Sequence, residues 1–298
     1  RKNLIINGGF DVWQRGTSFT PALNYWYSAD RARLSSNATV NITKESASLE
    51  GNVVNTIKHA IVSPTSGNNI RYDQRIEEFD YFKNKTFTLS FWVKASRTHA
   101  LSSSYLYFGG GGVNTFTLAL GNATTTWTKK TATFSVGDLS TATGTYADLV
   151  IGISSDGASI DIEYAQVQLE VGSVATEFEH RSYGEELALC QRYHYELVSG
   201  DNKYWASGHY YSASLFAATF SFPVTMRTSP TAGYTTGVSW YLIYTAGVAD
   251  NLDAINFVRL HPNGGGIDTT TGTGGTQGNG GSIKTNNPAC KIYFNAEL

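Results

Sequence analysis

The sequence predicts an all-β protein, because three independent features of the chain favour short strands over helices. Apolar residues recur with period two in nearly every apolar run. Aromatic residues are abundant, with 18 Tyr and 6 Trp beside a single Met, and such side chains favour strands. Turns rich in Gly, Asn, Ser and Thr separate the runs, which is typical of a β-sandwich or a jelly roll.

Length and charge limit the classes of protein to which the chain can belong. At 298 residues it exceeds the usual size of one domain, so one large or two medium domains are expected. The 24 acidic and 22 basic residues give a net charge of −2, which argues against nucleic-acid partners. No stretch approaches the roughly 20 apolar residues of a membrane span, so no membrane insertion is expected. Charged residues are only 15% of the chain, as in rigid extracellular or virion β-proteins.

Two runs in the first half illustrate how the strands are assigned. In residues 87–95 the odd positions are apolar and the even positions are mostly polar, which predicts a half-buried strand with Trp92 on its polar face. In residues 160–170 the apolar phase changes from even to odd. A strand whose inward face changes in this way contains a bulge, which we place at Tyr164 and Ala165.

The alternation of apolar and polar residues is interrupted between residues 172 and 190. Ser182 and Glu185 have the spacing of a helix capping box, so one short helix is expected there. We therefore place the domain boundary near residues 180–190 and assign residues 1–183 and 184–298 to the two domains. The final run, 290–298, alternates most regularly, with Cys290 and the following even positions on one face.

Two further features, the segment 263–282 and the two cysteines, each allow two interpretations. Residues 263–282 are rich in Gly, Thr and Asn and predict a long loop outside the core. Its tip is either a contact surface or a merely flexible, subunit-packed loop. The only cysteines are Cys190 and Cys290, which could pair, although two free buried thiols are favoured.

The chain lacks the local motifs of common enzymes. Its six histidines are scattered without metal-site spacing, and no HExxH, GxSxG or P-loop motif occurs. A pair of catalytic carboxylates would have to come from separate strands, which the sequence cannot show. We therefore expect a protein that is not an enzyme.

Aromatic and hydrogen-bonding residues on the predicted polar faces of strands suggest carbohydrate binding. Sugar rings combine an apolar face with a fringe of hydroxyl groups, and therefore pair with flat aromatic rings and planar polar groups. The alternative is that these rings fill a subunit interface or the core. The predicted glycan-binding residues are Tyr72, Gln74, Trp92, Tyr105 and Tyr107.

Several segments together resemble one family. The segment NLIINGGFDVWQRGTS (3–18) resembles the start of the carbohydrate-binding-module-like jelly roll of bacteriophage tail fibres and receptor-binding proteins. Further similar segments follow in order: YSADR (27–31), YDQRIE (72–77), TFTLSFWVKA (86–95), AQVQLEVG (165–172), ATEFEHRSY (175–183) and ELALCQRY (186–193). In the second half, FPVTMRTSP (222–230) and the terminal AEL (296–298) are similar to the β-rich tip domain that often follows.

The resemblance implies an N-terminal jelly-roll β-sandwich followed by a second, smaller β-sandwich tip domain. It also implies a homotrimer in the virion that attaches to a host cell-surface polysaccharide or other glycan without cleaving it. Because the sequence starts at Arg1, an upstream tail-fibre or virion segment is expected. The alternatives are a virion decoration or connector protein without glycan binding, and a polysaccharide depolymerase.

The resemblance also implies two details of the first domain. Related modules often hold a structural calcium ion, and the matching positions here are Gly9, Asp11 and Asp161, whose oxygen atoms suit calcium. Both aspartates could equally be turn or strand-end residues. Ala32 stands where the family commonly places a tryptophan, so a ligand site near Asp30 and Arg31 is in doubt.

Overall fold

The computed structural model divides the chain into two compact units. The first unit comprises residues 1–187 together with Leu298, and the second comprises residues 188–297. The predicted division lies four residues earlier, between residues 183 and 184. The structure describes residues 2–22, 26–77, 79–109, 114–139, 144–252, 254–271 and 274–298.

The described part of the first unit is built from antiparallel strands. The strands are β1 (Ser18–Ala22), β2 (Trp26–Tyr27), β3 (Arg33–Ser36), β4 (Thr39–Leu49), β5 (Asn52–Ser63), β6 (Asn69–Ile76), β7 (Thr86–Ala95), β8 (His99–Ala100), β9 (Tyr105–Gly109), β10 (Asn114–Thr117), β11 (Asn122–Ala123), β12 (Thr128–Ser135), β13 (Tyr146–Ser154) and β14 (Asp161–Val171). A 3₁₀ turn at Phe79–Phe82 precedes β7.

Two six-stranded sheets form the jelly-roll sandwich of the first unit. Sheet A has the strand order β1-β4-β5-β14-β7-β12, and sheet B has the order β10-β9-β13-β6-β3-β2. Their inner faces share one apolar core, to which Phe91 of sheet A and Tyr72 and Leu106 of sheet B belong. Residues that alternate with these core residues therefore lie on the outer faces of the sandwich.

The predicted bulge in β14 is present, two residues beyond the predicted position. Ala165 pairs with Trp92 and Gln168 pairs with Ser90, so β14 has one extra residue between these pairs. Gln166 takes a positive φ of 48° there. The extra residue changes the inward phase of the strand, as the change in apolar phase at residues 160–170 indicates.

The bulge also receives the N-terminal segment. The Val167 N–H donates to the carbonyl of Gly8 at 2.8 Å, and the Asn3 Nδ2 donates to the carbonyl of Val167 at 3.1 Å. A Cβ atom on Gly8 would lie 2.0 Å from the Val167 oxygen. Only glycine fits this close approach of two backbones, so Gly8 is a packing requirement of the fold.

Helix α1 (Tyr183–Gln191) begins at the end of the first unit and continues into the second. Ser182 and Glu185 form the predicted capping box, with Ser182 N–H donating to Glu185 Oε2 at 3.0 Å and Glu185 N–H donating to Ser182 Oγ at 3.3 Å. The strands that follow are β15 (His194–Ser199), β16 (Tyr204–Tyr210), β17 (Leu215–Ser221), β18 (Thr231–Tyr234), β19 (Tyr241–Thr245), β20 (Val248–Asn251), β21 (Asn256–His261), β22 (Gly264–Thr270), β23 (Gly280–Thr285) and β24 (Lys291–Asn295).

The second unit is the smaller β-sandwich. Sheet C has three strands in the order β15-β24-β18, and sheet D has seven in the order β20-β19-β23-β16-β17-β22-β21. One apolar core contains residues from both sheets, among them Ile283 of sheet D and Ile292 and Phe294 of sheet C. The even positions of the last strand are buried, as predicted.

The prediction of a long coreless loop at residues 263–282 is wrong. The segment contains all of β22 and the start of β23, and Ile267 within it is fully buried in the core. The physical reason is the close approach of β22 to β17, because a Cβ atom on Gly264 would lie 2.3 Å from the Phe220 oxygen. Glycine-rich composition here reflects tight strand packing and not a lack of structure.

Two further expectations concern cysteines and membranes. Cys190 and Cys290 do not form a disulfide, and both are buried, as favoured from the sequence. Among the described residues, no helix is both long enough and apolar enough to cross a membrane.

Candidate functional site

The outer face of sheet B carries a cluster of arginine, tyrosine and aspartate side chains, which we call the sheet B face. It is formed by residues of four neighbouring strands, because β13 pairs with β9 on one side and with β6 on the other, and β6 pairs in turn with β3. Asp148 of β13 lies opposite Arg75 on one neighbour and opposite Tyr107 on the other. The members of the face are Arg33, Arg71, Asp73, Arg75, Tyr105, Tyr107, Tyr146 and Asp148.

Two guanidinium groups of this face lie over tyrosine rings. The Arg71 guanidinium is 5.5 Å from the centroid of Tyr105, and that of Arg75 is 4.4 Å from the centroid of Tyr146. Arg71 Nε also donates to Ser103 Oγ at 2.6 Å, and Arg75 Nη1 donates to the carbonyl of Leu298 at 2.7 Å. Cation–π contacts and hydrogen bonds thus hold both guanidinium groups over half-buried aromatic rings.

A buried charge network underlies the two pairs. Arg33 donates to both carboxylate oxygens of Asp73, at 2.5 and 3.0 Å, and to Asp148 Oδ2 at 2.9 Å. Burial, assisted by the neighbouring Asp148 carboxylate, raises the pKa of Asp73 above its ordinary value, and Arg33 opposes this rise. Burial likewise raises the pKa of Asp148 against the opposing charges of Arg33 and Arg75. The network fixes the side-chain positions of three adjacent strands.

One acceptor atom of this network has no hydrogen-bond donor among the described residues. The Oδ1 atom of Asp148 is buried and accepts no hydrogen bond from the residues that the structure describes. Its strand neighbours on the face are Tyr107 and Arg75. A buried acceptor without a donor is costly, and a hydroxyl group that reached this atom would satisfy it.

Two predicted glycan-binding residues lie on the wrong side of sheet B. Tyr72 is fully buried beside Phe10 and Tyr164, with ring centroids 5.8 and 6.1 Å away. Gln74 is 1% exposed, and its amide bonds to the backbone of Ile6, so the predicted platform containing both residues does not form.

The sequence did contain a signal against this assignment. Tyr72 and Gln74 share their phase with Ile70 and Ile76, and a phase that begins and ends with isoleucine is the core face of a strand. The other phase of β6 contains Arg71, Asp73 and Arg75, which were missed. Tyr146 and Asp148 were also missed, because a single sequence does not reveal which strands are neighbours.

The other three predicted glycan-binding residues are divided between the two sheets. Tyr105 and Tyr107 lie on the sheet B face and are half-buried. Trp92 is half-buried on the outer face of sheet A, opposite Lys129 and Ala165 on the neighbouring strands. Because the sandwich core separates the outer faces, Trp92 cannot contact the same ligand residue as Tyr105 and Tyr107.

The predicted calcium ligands are divided as well. Gly9 and Asp11 line a small cavity of about 100 Å³ together with Asn55, Gln166, Phe178 and His180. Asp161 lies opposite Ala60 in the strand pairing, whereas Asp11 Oδ1 accepts a hydrogen bond from Asn55 Nδ2 at 2.6 Å. Ala60 lies five residue steps along β5 from Asn55, a distance of about 16 Å, which is too far for one coordination sphere.

The residues that are present therefore do not fit the predicted calcium site. Asp161 forms an ion pair with Lys58 at 2.7 Å, and the cavity at Asp11 holds one carboxylate among amide groups. In the described parts of the chain, no three His, Cys, Asp or Glu residues cluster in a way that could hold a metal ion. Calcium prefers several carboxylate and carbonyl oxygens around one centre.

Trp13, Gln14 and Arg15, which belong to the segment 3–18, form hydrogen bonds and an ion pair with other residues of the first unit. Trp13 Nε1 donates to the carbonyl of Phe10 at 2.7 Å, Gln14 donates to Asp30 from both its backbone N–H and its side-chain amide, and Arg15 pairs with Asp30 at 3.3 Å. Asp30 is buried at the centre of these bonds. These bonds join residues 13–15 to Asp30, which lies between β2 and β3.

Comparisons with known proteins show only distant likenesses. No family model and no curated protein matches the chain. A putative sugar-binding protein from Bacteroides thetaiotaomicron is 16% identical, with 57% of this chain and 100% of that chain covered and a TM-score of 0.41. A family 4 carbohydrate-binding module is 18% identical, with 56% and 98% covered and a TM-score of 0.33.

A third likeness is to a viral protein. The active domain of bacteriophage CBA120 tailspike protein 4 is 18% identical to this chain, with a TM-score of 0.34. The match covers 48% of this chain but only 19% of the tailspike chain. At these identities and TM-scores the likenesses carry no argument about function.

Proposed function

We propose that the protein binds a carbohydrate on the sheet B face. The observation that carries the proposal is the pair of guanidinium–tyrosine stacks on that face, Arg71 with Tyr105 and Arg75 with Tyr146. Tyrosine rings offer flat apolar surfaces to the C–H faces of sugars, while the guanidinium groups offer planar donors to sugar hydroxyls. Tyr107, between the two stacks on β9, completes the aromatic surface.

We propose binding without cleavage. Glycoside hydrolysis requires a carboxylic acid that can pass its proton to the glycosidic oxygen. Asp73 accepts two bonds from Arg33, and one oxygen of Asp148 is held by the same guanidinium. Both carboxylates are thus committed to a structural ion pair with Arg33.

We further propose that the protein is a phage tail-fibre or related virion receptor-binding protein that attaches to a host cell-surface glycan. The family resemblance of residues 3–193 and the low charge of the surface support this role. A homotrimer would present three copies of the sheet B face, so that weak individual sites combine into firm attachment. Light scattering should then give a mass about three times 32.4 kDa.

The binding proposal is tested with Tyr107→Ala on a glycan array. We expect the parent protein to bind a defined group of glycans and the variant to lose at least about tenfold in affinity, as expected for loss of a stacking ring. Tyr183→Ala is the matched control, because Tyr183 is an exposed tyrosine on α1. Absence of glycan binding by the oligomer, or unchanged binding by Tyr107→Ala, would overturn the proposal.

The non-enzymatic part of the proposal needs a separate test. We expect no new reducing ends when the protein is incubated with a polysaccharide that it binds. Release of reducing ends that Asp148→Asn abolishes would establish a depolymerase instead. A fully buried sheet B face in the oligomer, with no glycan binding, would favour the structural or connector role.

A further inference from the structure

The outer face of sheet D carries a second aromatic cluster in the other unit, formed by Tyr204, Tyr244 and Lys284. Tyr204 is 63% exposed, and its ring lies edge-on to Tyr244 with centroids 6.4 Å apart. The Lys284 ammonium lies 4.9 Å from the centroid of the Tyr244 ring. We call these three residues the sheet D cluster.

The strand register explains why the cluster forms. On β23, Lys284 lies opposite both Tyr204 of β16 and Leu242 of β19, while its neighbour Ile283 faces the core. The register shifts by one residue between Tyr204 and Ala206. This bulge lets Tyr204 lie on the same outer face as Lys284 while Ala206 returns to the core face.

The ammonium group of Lys284 is held in place without a charge partner. Its Nζ donates to the neutral Asn202 Oδ1 at 2.9 Å, and no carboxylate of the described residues lies within ion-pair distance of it. Three other lysines of the sheets, Lys58, Lys94 and Lys291, each pair with an acidic side chain. The cluster thus offers an unneutralised cation beside two rings.

Small hydroxyl residues extend the cluster across the sheet. Ser282 of β23 lies opposite both Tyr244 and Ser207, and the two serine hydroxyls are 3.2 Å apart. The two hydroxyl groups lie beside the tyrosine rings and can form hydrogen bonds with a ligand that contacts those rings. Hydroxyls that both donate and accept suit the hydroxyl fringe of a sugar.

We propose that the sheet D cluster is a second binding site, specific for an acidic sugar residue of a glycan. Tyr204 or Tyr244 contacts the ring face of the sugar, and Lys284 pairs with its carboxylate. Ser207 and Ser282 form hydrogen bonds with its hydroxyl groups. The proposal rests on the proposed function in taking glycans as the ligand class. It adds a site in the second unit and a charge requirement that the sheet B face does not impose.

The test uses calorimetric titration of the full chain with a hexuronate hexasaccharide and with its carboxyl-reduced, neutral form. We expect binding of the acidic form, weakened by salt because the contact is an exposed charge pair. Tyr204→Ala and Lys284→Gln should each weaken that binding about tenfold. Tyr211→Ala is the matched control, because Tyr211 is an equally exposed tyrosine of the same unit.

Each result decides one way. Equal affinity for the acidic and neutral forms, no binding of the acidic form, or unchanged binding by Lys284→Gln would overturn the proposal. Loss of the oligomer in Tyr204→Ala, measured by light scattering, would assign the cluster to contact between copies of the chain and overturn it as well. Tyr107→Ala should leave this binding intact, so failure of the sheet B site and failure of the sheet D site are distinguishable.

Discussion

Gln74 pairs with the backbone of Ile6 as if it were a neighbouring strand. Its Oε1 accepts from the Ile6 N–H and its Nε2 donates to the Ile6 carbonyl, both at 2.8 Å. The pair is buried, and it joins the N-terminal segment to the middle of sheet B. A residue expected to hold a ligand is thus part of the structure that holds the first segment in place.

Replacing Gln74 should destabilise the protein. Gln74→Ala leaves the buried N–H and carbonyl of Ile6 without partners, and each unsatisfied group costs about 1–3 kcal/mol. We expect a loss of about 3 kcal/mol in the free energy of unfolding, measured by urea denaturation. The folded fraction should bind glycans as the parent does, and unchanged stability would contradict the structural role.

The stability of the first unit should depend on pH through His59. Burial lowers the pKa of His59 from 6.5 to about 3 in the folded protein. Above pH 6.5 the residue is neutral in both states, and below it the unfolded chain takes up a proton that the native state does not. The unfolding free energy should therefore fall by about 1.4 kcal/mol per pH unit below pH 6.5.

The measurement compares denaturation of the parent protein and His59→Leu between pH 7 and pH 4.5. The variant should lose this part of the pH dependence, whereas His209→Gln, at an exposed position, should keep it. The raised pKa values of Asp73 and Asp148 act in the opposite sense, but they are common to all three proteins and cancel in the comparison. Parallel pH profiles of parent and His59→Leu would refute the assignment.

The Gly8 position should tolerate no side chain. In Gly8→Ala the added methyl group would lie 2.0 Å from the Val167 carbonyl oxygen, so the N-terminal segment or the β14 bulge must move. We expect destabilisation of at least about 3 kcal/mol. Gly137→Ala serves as the control, because a Cβ atom there meets nothing within 4 Å; equal stability of the two variants would contradict the packing.

Replacing only one member of the Arg33–Asp73 pair should lower the free energy of unfolding. Asp73→Asn leaves the buried Arg33 charge without its main partner, and removal of one member of a buried pair costs about 3–5 kcal/mol. The double variant Arg33→Met, Asp73→Leu should recover only part of that loss, because both charges of the pair are removed but Asp148 then keeps only Arg75, at 3.7 Å, as a cationic partner among the described residues. Thermal denaturation of the parent, Arg33→Met, Asp73→Leu and the double variant gives the coupling energy of the pair. Additive losses would show that the pair does not act as a unit.

Some of the first unit could be predicted from local patterns. The alternation in residues 87–95 identified the buried face of β7, the change of phase in residues 160–170 indicated the bulge, and Ser182 with Glu185 marked the start of α1. Each of these signals lies within about ten residues. Strand alternation, bulge phase and helix capping are all properties of short segments, so a single sequence contains them.

The site could not be predicted in the same way, because it depends on which strands are neighbours. Arg71 contacts Tyr105, and Arg75 contacts Tyr146, although the partners are 34 and 71 residues apart in the chain. Nothing in the local pattern shows that β13 lies between β6 and β9. The division of Asp11 from Asp161, and of Trp92 from Tyr107, has the same origin in strand order.

The sequence by itself determined the strand content, the short helix and the burial of the last strand, since these follow from the spacing of apolar and capping residues. Only the tertiary structure decided which polar residues meet, because that depends on sheet order and on which face the core covers. The packing of two sheets buried Tyr72 and Gln74, and the same packing brought Arg33, Asp73 and Asp148 together on the opposite face.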